Sequence, residues 1–259
     1  MAKEYVPGET KEQRKIRKAK EKGITLKDKV KITSPVIAPP KPAPTPAPID
    51  QITKKITTPY PTKPIAFVLG NGTSRTSIDP NVLVGKGTIY GCNALYRSFS
   101  PDYLIAVDTK MIREISNAGY QLTNSVWTNT NKFSREIHKI NLFNPNLGWS
   151  SGPTALNFAS QNGSETIYVL GFDYQGIGRK QELVNNMYAG TENYKNVNDR
   201  ATYFGNWQRQ TSMVIKRNPR TRYIRVVETE NCFIPDSLLG LENLQHITIE
   251  KFKNILNIS

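Results

Sequence analysis

"FVLGNGTSR", residues 67–75, is an apolar run that enters a turn bracketed by Gly70 and Gly72. A short strand that ends in glycine, asparagine and hydroxyl residues is what a parallel α/β sheet places at a ligand-binding edge. Around it, "IAFVLG" (65–70), "GTIYG" (87–91), "DYLIAVD" (102–108), "SVWTN" (125–129), "TIYVLGFD" (166–173) and "RYIRVVE" (222–228) have the length and the β-branched and aromatic content of strands. Several are apolar on both faces, the pattern of a parallel sheet covered by helices. "TKMIREISNAG", "GPTALNFASQNG" and "RATYFGNWQRQTSMVIKR" are the clearest helical stretches.

The alternation of these elements predicts an α/β domain over residues 65–259, an open three-layer and mainly parallel Rossmann-like sheet. At 259 residues and 37% hydrophobic content the chain has enough for one such domain and too little for two. Residues 1–64 read as an arm. They hold 15 Lys and Arg against 6 Asp and Glu, so the arm carries most of the net charge of +14. Its run "KEQRKIRKAKEKG" (11–23) is rich in helix formers, but Ile16 is its only large apolar residue, so an isolated helix has no stripe to bury. "SPVIAPPKPAPTPAPID" follows, where proline at nearly every second position favours extended polyproline II. At about 3.1 Å per residue, residues 34–64 reach on the order of 90 Å.

Several classes are disfavoured. Cys92 and Cys232 lie far apart and outside any closely spaced ligand or redox motif, which argues against a disulfide framework and a zinc site. No apolar run approaches the roughly 18–20 residues that span a bilayer, and "MAKEYVPGETKEQRK" lacks the apolar core of a signal peptide. The expectation is no membrane partner and a cytoplasmic or virion-associated rather than secreted protein. "GNGTSR" is not the dinucleotide fingerprint, because Arg75 stands at its sixth position, and no G-x-x-x-x-G-K-[ST] loop is present. His138, in a helix-like stretch, and His246, beside a C-terminal strand, read as surface or core residues.

Chemistry is therefore sought at the strand ends. The first strand ends in Gly70, Asn71, Gly72, Thr73 and Ser74, the second in Gly91, Cys92 and Asn93, the third in Asp108, and the strand over 166–173 in Asp173. "WSSGPTALNFA" sets Ser150, Ser151 and Gly152 ahead of a helix whose first position suits Pro153, a good start for binding an anion. Each feature also has an architectural reading. Gly70-Asn71-Gly72 suits a tight turn with positive φ, Ser150 or Ser151 suits a helix cap, and Asp108 and Asp173 suit solvated loop positions. Two carboxylates alone do not define a metal site, so no metal is assigned.

As a set, "FVLGNGTS", "IYGCNALY", "SSGPTALNFA" and "IYVLGFDY" resemble, in order and spacing, the bacterial sialyltransferases that use CMP-activated sialic acid. More loosely, they resemble the 6-hydroxymethylpterin diphosphokinase-like domains. The likeness spans roughly residues 65–205. It implies a nucleotide-sugar site in which Asn71, Asn93, Ser151 and Gly152 contact the ligand, with a CMP-sugar or another nucleotide sugar as the bound molecule. It also marks departures. The family's histidine base, in a Tyr-x-Gly-His context, corresponds by eye to Asn206 of "TYFGNW", and asparagine does not accept a proton near neutral pH. Gly148 stands where the family has an arginine, and Gln175 where it has a tyrosine. Tyr188, Tyr194 and Tyr203 are alternative sources of an acid or base, and Asp108 or Asp173 is a candidate catalytic residue that orders the site while an unidentified group activates the acceptor.

Two readings of the whole chain follow. In one it is a glycosyltransferase-like, sialyltransferase-like nucleotide-sugar-binding domain, active or catalytically degenerate. In the other it is a structural protein of a phage virion, with residues 1–64 tethering the domain to neighbouring subunits. Nucleic-acid binding through the arm is the weaker expectation, since no aromatics interleave its basic residues and the domain itself is only modestly basic.

Overall fold

The computed structural model describes residues 64–258. The arm expected over 1–64, with its helix-forming and proline-rich runs, lies outside the described residues except for Pro64.

The described residues form one eight-stranded, all-parallel sheet with helices on both faces, a Rossmann-like α/β arrangement. The strands are β1 (Ile65–Leu69), β2 (Thr88–Cys92), β3 (Tyr103–Ile105), β4 (Val126–Asn129), β5 (Asn141–Phe143), β6 (Thr166–Leu170), β7 (Arg222–Val227) and β8 (Leu244–Thr248). Their spatial order is β5-β4-β3-β2-β1-β6-β7-β8. The chain builds outward from β1 to one edge, then returns to the other side of β1 with β6 and builds to the opposite edge. Order therefore reverses between β1 and β6, the place where parallel α/β sheets open a crevice beyond their carboxyl ends.

Period-two alternation along β1 feeds two cores. Ala66 and Val68 face one, with Tyr90, Ile105, Ile167, Val169 and Tyr223. Phe67 and Leu69 face the other, with Ile89, Leu104, Tyr168 and Leu170. The first core is closed by α3 (Ser151–Gln161) through Ala155, Leu156 and Ala159 and by α4 (Gly205–Arg217) through Val214 and Ile215. The second is closed by α1 (Thr109–Asn117) through Met111, Ile112 and Ile115, and by Phe252 of α5 (Ile249–Leu256). The short α2 (Lys132–Arg135) joins β4 to β5, capped by Asn131.

The six expected strands are all present. β5 and β8 are edge strands beyond those six, except that a C-terminal strand was expected near His246, which lies within β8. β5 has three residues, all half-buried, and β8 alternates as L-Q-H-I-T, so neither has the continuous apolar signal of the interior strands. α3 begins at Ser151 rather than at Pro153, and α4 begins at Gly205, leaving 200–204 as loop. His138 lies in the turn after α2 rather than in a helix. Among the described residues no helix is long and apolar enough to cross a membrane.

Candidate functional site

The turn of residues 70–74 is first of all a joint between β1 and β6. Gly70 N–H donates to Leu170 O at 2.8 Å and Gly72 N–H to Gly171 O at 2.9 Å. A Cβ on Gly70 would sit 2.6 Å from Gly171 O, and one on Gly72 would sit 2.5 Å from Asp173 Oδ2. The two glycines are needed for close approach. Gly72 is extended (φ −63°), and the positive φ belongs to Gly171 (+68°) across the joint. The expected positive-φ turn is thus corrected to a tight packing contact.

Thr73 and Ser74, expected to bind ligand, face inward. Thr73 N–H and Oγ1 both donate to Asn185 Oδ1, at 3.0 and 2.6 Å. Ser74 N–H donates to Asp173 Oδ2 at 3.1 Å, and its hydroxyl donates to the other carboxylate oxygen. Neither residue lines the crevice. The turn is therefore not a ring of free N–H groups around a phosphate.

Beyond the joint lies a cleft of about 660 Å³, within the roughly 300–1,000 Å³ usual for small-molecule sites. Gly70, Asn71, Gly72, Asn93, Asp108, Ser150, Ser151, Gly152, Asp173 and Asn206, all singled out from sequence, line it. So do Gly148 and Gln175, which with Asn206 are the three positions where departures are expected from the sequence.

Ser151 organises one wall. Its hydroxyl accepts from Val107 N–H at 3.1 Å and donates to Asn93 Oδ1 at 2.8 Å, tying the ends of β2 and β3 to the start of α3. It is only 4% exposed, and in this structure its hydroxyl positions Asn93 and Val107 at the edge of the cleft it lines. Asn93 has φ +53°, and with its oxygen held by Ser151 its amide nitrogen is the part left for a ligand. Ser150 is the N-cap of α3 but makes no capping bond, and its N–H is held by Gln210 Oε1 of α4 at 3.0 Å. Both α3 and α4 thus begin at the cleft without a side-chain cap, each presenting the positive end of its dipole.

The opposite wall comes from the long loop 174–204. Met187 N–H donates to Asn71 O at 2.9 Å, and Asn71 Nδ2 donates to Tyr194 Oη at 3.2 Å. Asn71 Oδ1 and Gln175 Oε1 remain buried with no donor, a cost of about 1–3 kcal/mol each. Sequence reasoning missed Asn129, Asn185 and Asn186, which bring the carboxamides of the lining to seven with Asn71, Asn93, Gln175 and Asn206. Asn129 ends β4, so the strand-end rule that found Asn93 applied to it too. Also missed were the aromatics Trp149, Phe204 and Trp207, the last two packed edge to face at 5.4 Å. Nothing local marks Asn185 and Asn186, which reach the site only through the folding of the loop.

The charges are specific. Asp108 and Asp173 are the only carboxyl-bearing side chains in the lining, which holds no Lys or Arg, and neither histidine of the chain is there. Behind the joint lie two buried guanidinium groups. Arg75 Nε donates to Gly70 O at 2.5 Å, and Arg225 donates from Nε to Phe172 O at 2.8 Å, from Nη1 to Phe233 O at 2.9 Å and from Nη2 to Asp173 O at 3.3 Å. They brace both switch-point loops and leave positive charge next to the cleft.

Other titratable groups are disqualified by their surroundings. Burial pushes the Cys92 thiol up to about 12 against the pull of Arg75, which leaves it inert at neutral pH. Burial also pushes the Tyr174 phenol up to about 12, while its hydroxyl donates to Thr211 Oγ1 at 2.9 Å. The Tyr194 phenol is raised by burial as well and, like Tyr188, does not line the cleft. Of the three tyrosines considered as acid or base, only Tyr203 is in the lining, 77% exposed. Among the described residues no group of three His, Cys, Asp or Glu side chains gathers to hold a metal ion.

Fold and site together define a parallel α/β domain with a carboxamide-rich, aromatic-walled cleft at its switch point. Compared with family models, with curated proteins and with solved structures, the chain matches none.

Proposed function

We propose that the domain binds a nucleotide-activated sugar in the switch-point cleft, as a glycosyltransferase-like domain whose strand-end motifs are similar to those of CMP-sialic acid sialyltransferases. The observation that carries this reading is the lining itself. Of its seven carboxamides, Asn129 and Asn206 have both donor and acceptor unengaged among the described residues, and Asn93 keeps its amide nitrogen. These groups suit sugar hydroxyls and base edges, while Trp149, Phe204 and Trp207 supply aromatic wall for a base or sugar ring. The uncapped starts of α3 and α4 suit phosphate oxygens, supported by the buried charges of Arg75 and Arg225. Asn206, which corresponds by eye to the family's histidine, lines the cleft, so on this reading any transfer chemistry runs without that base.

The test is a thermal-shift titration of the full chain with CMP, UDP, GDP and their sugar conjugates, with and without Mg²⁺. At 100 times the dissociation constant a ligand adds about 2.7 kcal/mol, a readily visible shift. A selective response to one base supports the reading. No response at millimolar concentration overturns it.

A second reading, a structural part of a phage virion tethered through residues 1–64, draws on the inward-turned hydroxyls of Thr73, Ser74 and Ser151. On that reading the joint is architecture, removal of residues 1–63 abolishes assembly, and Asn93→Ala leaves assembly intact.

A further inference from the structure

Resting on the nucleotide-sugar reading, we infer that Asp108 is the base that activates the acceptor, taking the place of the absent histidine. The cleft offers few groups able to accept a proton. Asp173 is occupied, since both its oxygens accept from Ser74. Cys92 is fully enclosed, Tyr174 is bonded to Thr211, and Asn206 has no basic atom. Of the remaining lining candidates, Tyr203 is a phenol, and Asp108 alone is an unengaged carboxylate. Asp108 lines the cleft and is exposed, and its carboxylate has no hydrogen-bond partner among the described residues.

Its position makes that freedom informative. Asp108 is the N-cap of α1, where an aspartate ordinarily accepts from an N–H of the first turn, yet it makes no such bond. The backbone beside it is firmly held: Val107 N–H is bound by the Ser151 hydroxyl, which is fixed in turn by Asn93. A rigid strand end thus carries an unengaged carboxylate on a residue that lines the same cleft as Asn93 and the start of α3. That is the support a proton acceptor needs.

The step balances. The acceptor oxygen forms a bond to the anomeric carbon as its proton passes to the Asp108 carboxylate. The bond from that carbon to the phosphate oxygen breaks, and the nucleotide leaves with the electron pair. Asp108 then releases the proton to solvent.

The experiment uses the full chain with CMP-, UDP- and GDP-sugars and water as the acceptor, following nucleotide release by chromatography and affinity by calorimetry. Asp108→Asn is expected to lower turnover at least about 100-fold while the dissociation constant stays within about twofold, and Asp108→Glu to restore part of the rate. Equal turnover by Asp108→Asn and wild type, or binding by the wild type without any turnover, overturns the assignment and leaves the binding reading standing. Loss of affinity in step with turnover also overturns it, marking Asp108 as a binding group. Absence of saturable binding by any nucleotide sugar overturns both.

Discussion

The Ser151 hydroxyl donates to Asn93 Oδ1 at 2.8 Å while it accepts from Val107 N–H at 3.1 Å, so one buried side chain fixes three strand- and helix-ends of the cleft. Ser151→Ala removes both bonds and leaves the Val107 N–H without its partner. The expected cost is about 1–3 kcal/mol by denaturant unfolding, with affinity for nucleotide reduced roughly threefold to tenfold as Asn93 loses its orientation. Ser150→Ala, next door, removes a hydroxyl that makes no capping bond, and stability is expected to change by less than about 0.5 kcal/mol.

The β1–β6 joint is expected to resist added volume. Gly72→Ala drives a methyl group to 2.5 Å from Asp173 Oδ2, and Gly70→Ala to 2.6 Å from Gly171 O. Each is expected to destabilise by about 1–3 kcal/mol, seen as a fall in Tm of several degrees. Gly148→Ala meets nothing within 4 Å but has φ +64°, so its cost is conformational alone, about 1–2 kcal/mol.

The loop over the cleft is tethered from outside the site. Arg97 donates to both oxygens of Glu114 at 2.7 Å, to Thr191 Oγ1 at 2.7 Å and to Glu192 O at 2.9 Å, next to the Tyr194 that holds Asn71. Arg97→Ala is expected to raise amide hydrogen exchange over 186–196 and weaken nucleotide binding, although Arg97 does not line the cleft.

Stability is expected to carry the signature of His246. Burial, reinforced by Arg225, lowers its imidazole from 6.5 to about 4, and its Nδ1 is buried without a partner. Between those values the unfolded chain binds a proton that the folded chain does not. The contribution of His246 is therefore complete above pH 6.5 and is lost as pH falls toward 4. Tm measured from pH 7.5 to 4 should fall over that window, and His246→Gln should flatten the fall.

Much of the fold can be read from local chemistry. The interior strands announce themselves because both faces are buried, as in I-A-F-V-L of β1, whereas β5 is three half-buried residues on an edge. The strand-end rule found Asn71, Asn93, Asp108 and Asp173, all in one cleft. It did not reveal which way each side chain turns. That Ser74 faces Asp173, and Thr73 faces Asn185 from 112 residues away, depends on how a 31-residue loop folds back across the sheet edge. Arg75, noted in the sequence only for breaking a motif, is 3% exposed because Gly70 O needs its guanidinium.

The most direct measurement uses the tryptophans. Trp149 and Trp207 line the cleft, and Trp127, the third in the chain, does not. Titration of the full chain with CMP-, UDP- and GDP-sugars should give a saturable change in tryptophan fluorescence for one nucleotide. That change should survive Trp127→Phe and vanish when Trp149→Phe and Trp207→Phe are combined. No saturable change at millimolar ligand, or a change that persists in the double variant, would contradict a nucleotide-sugar site at this cleft.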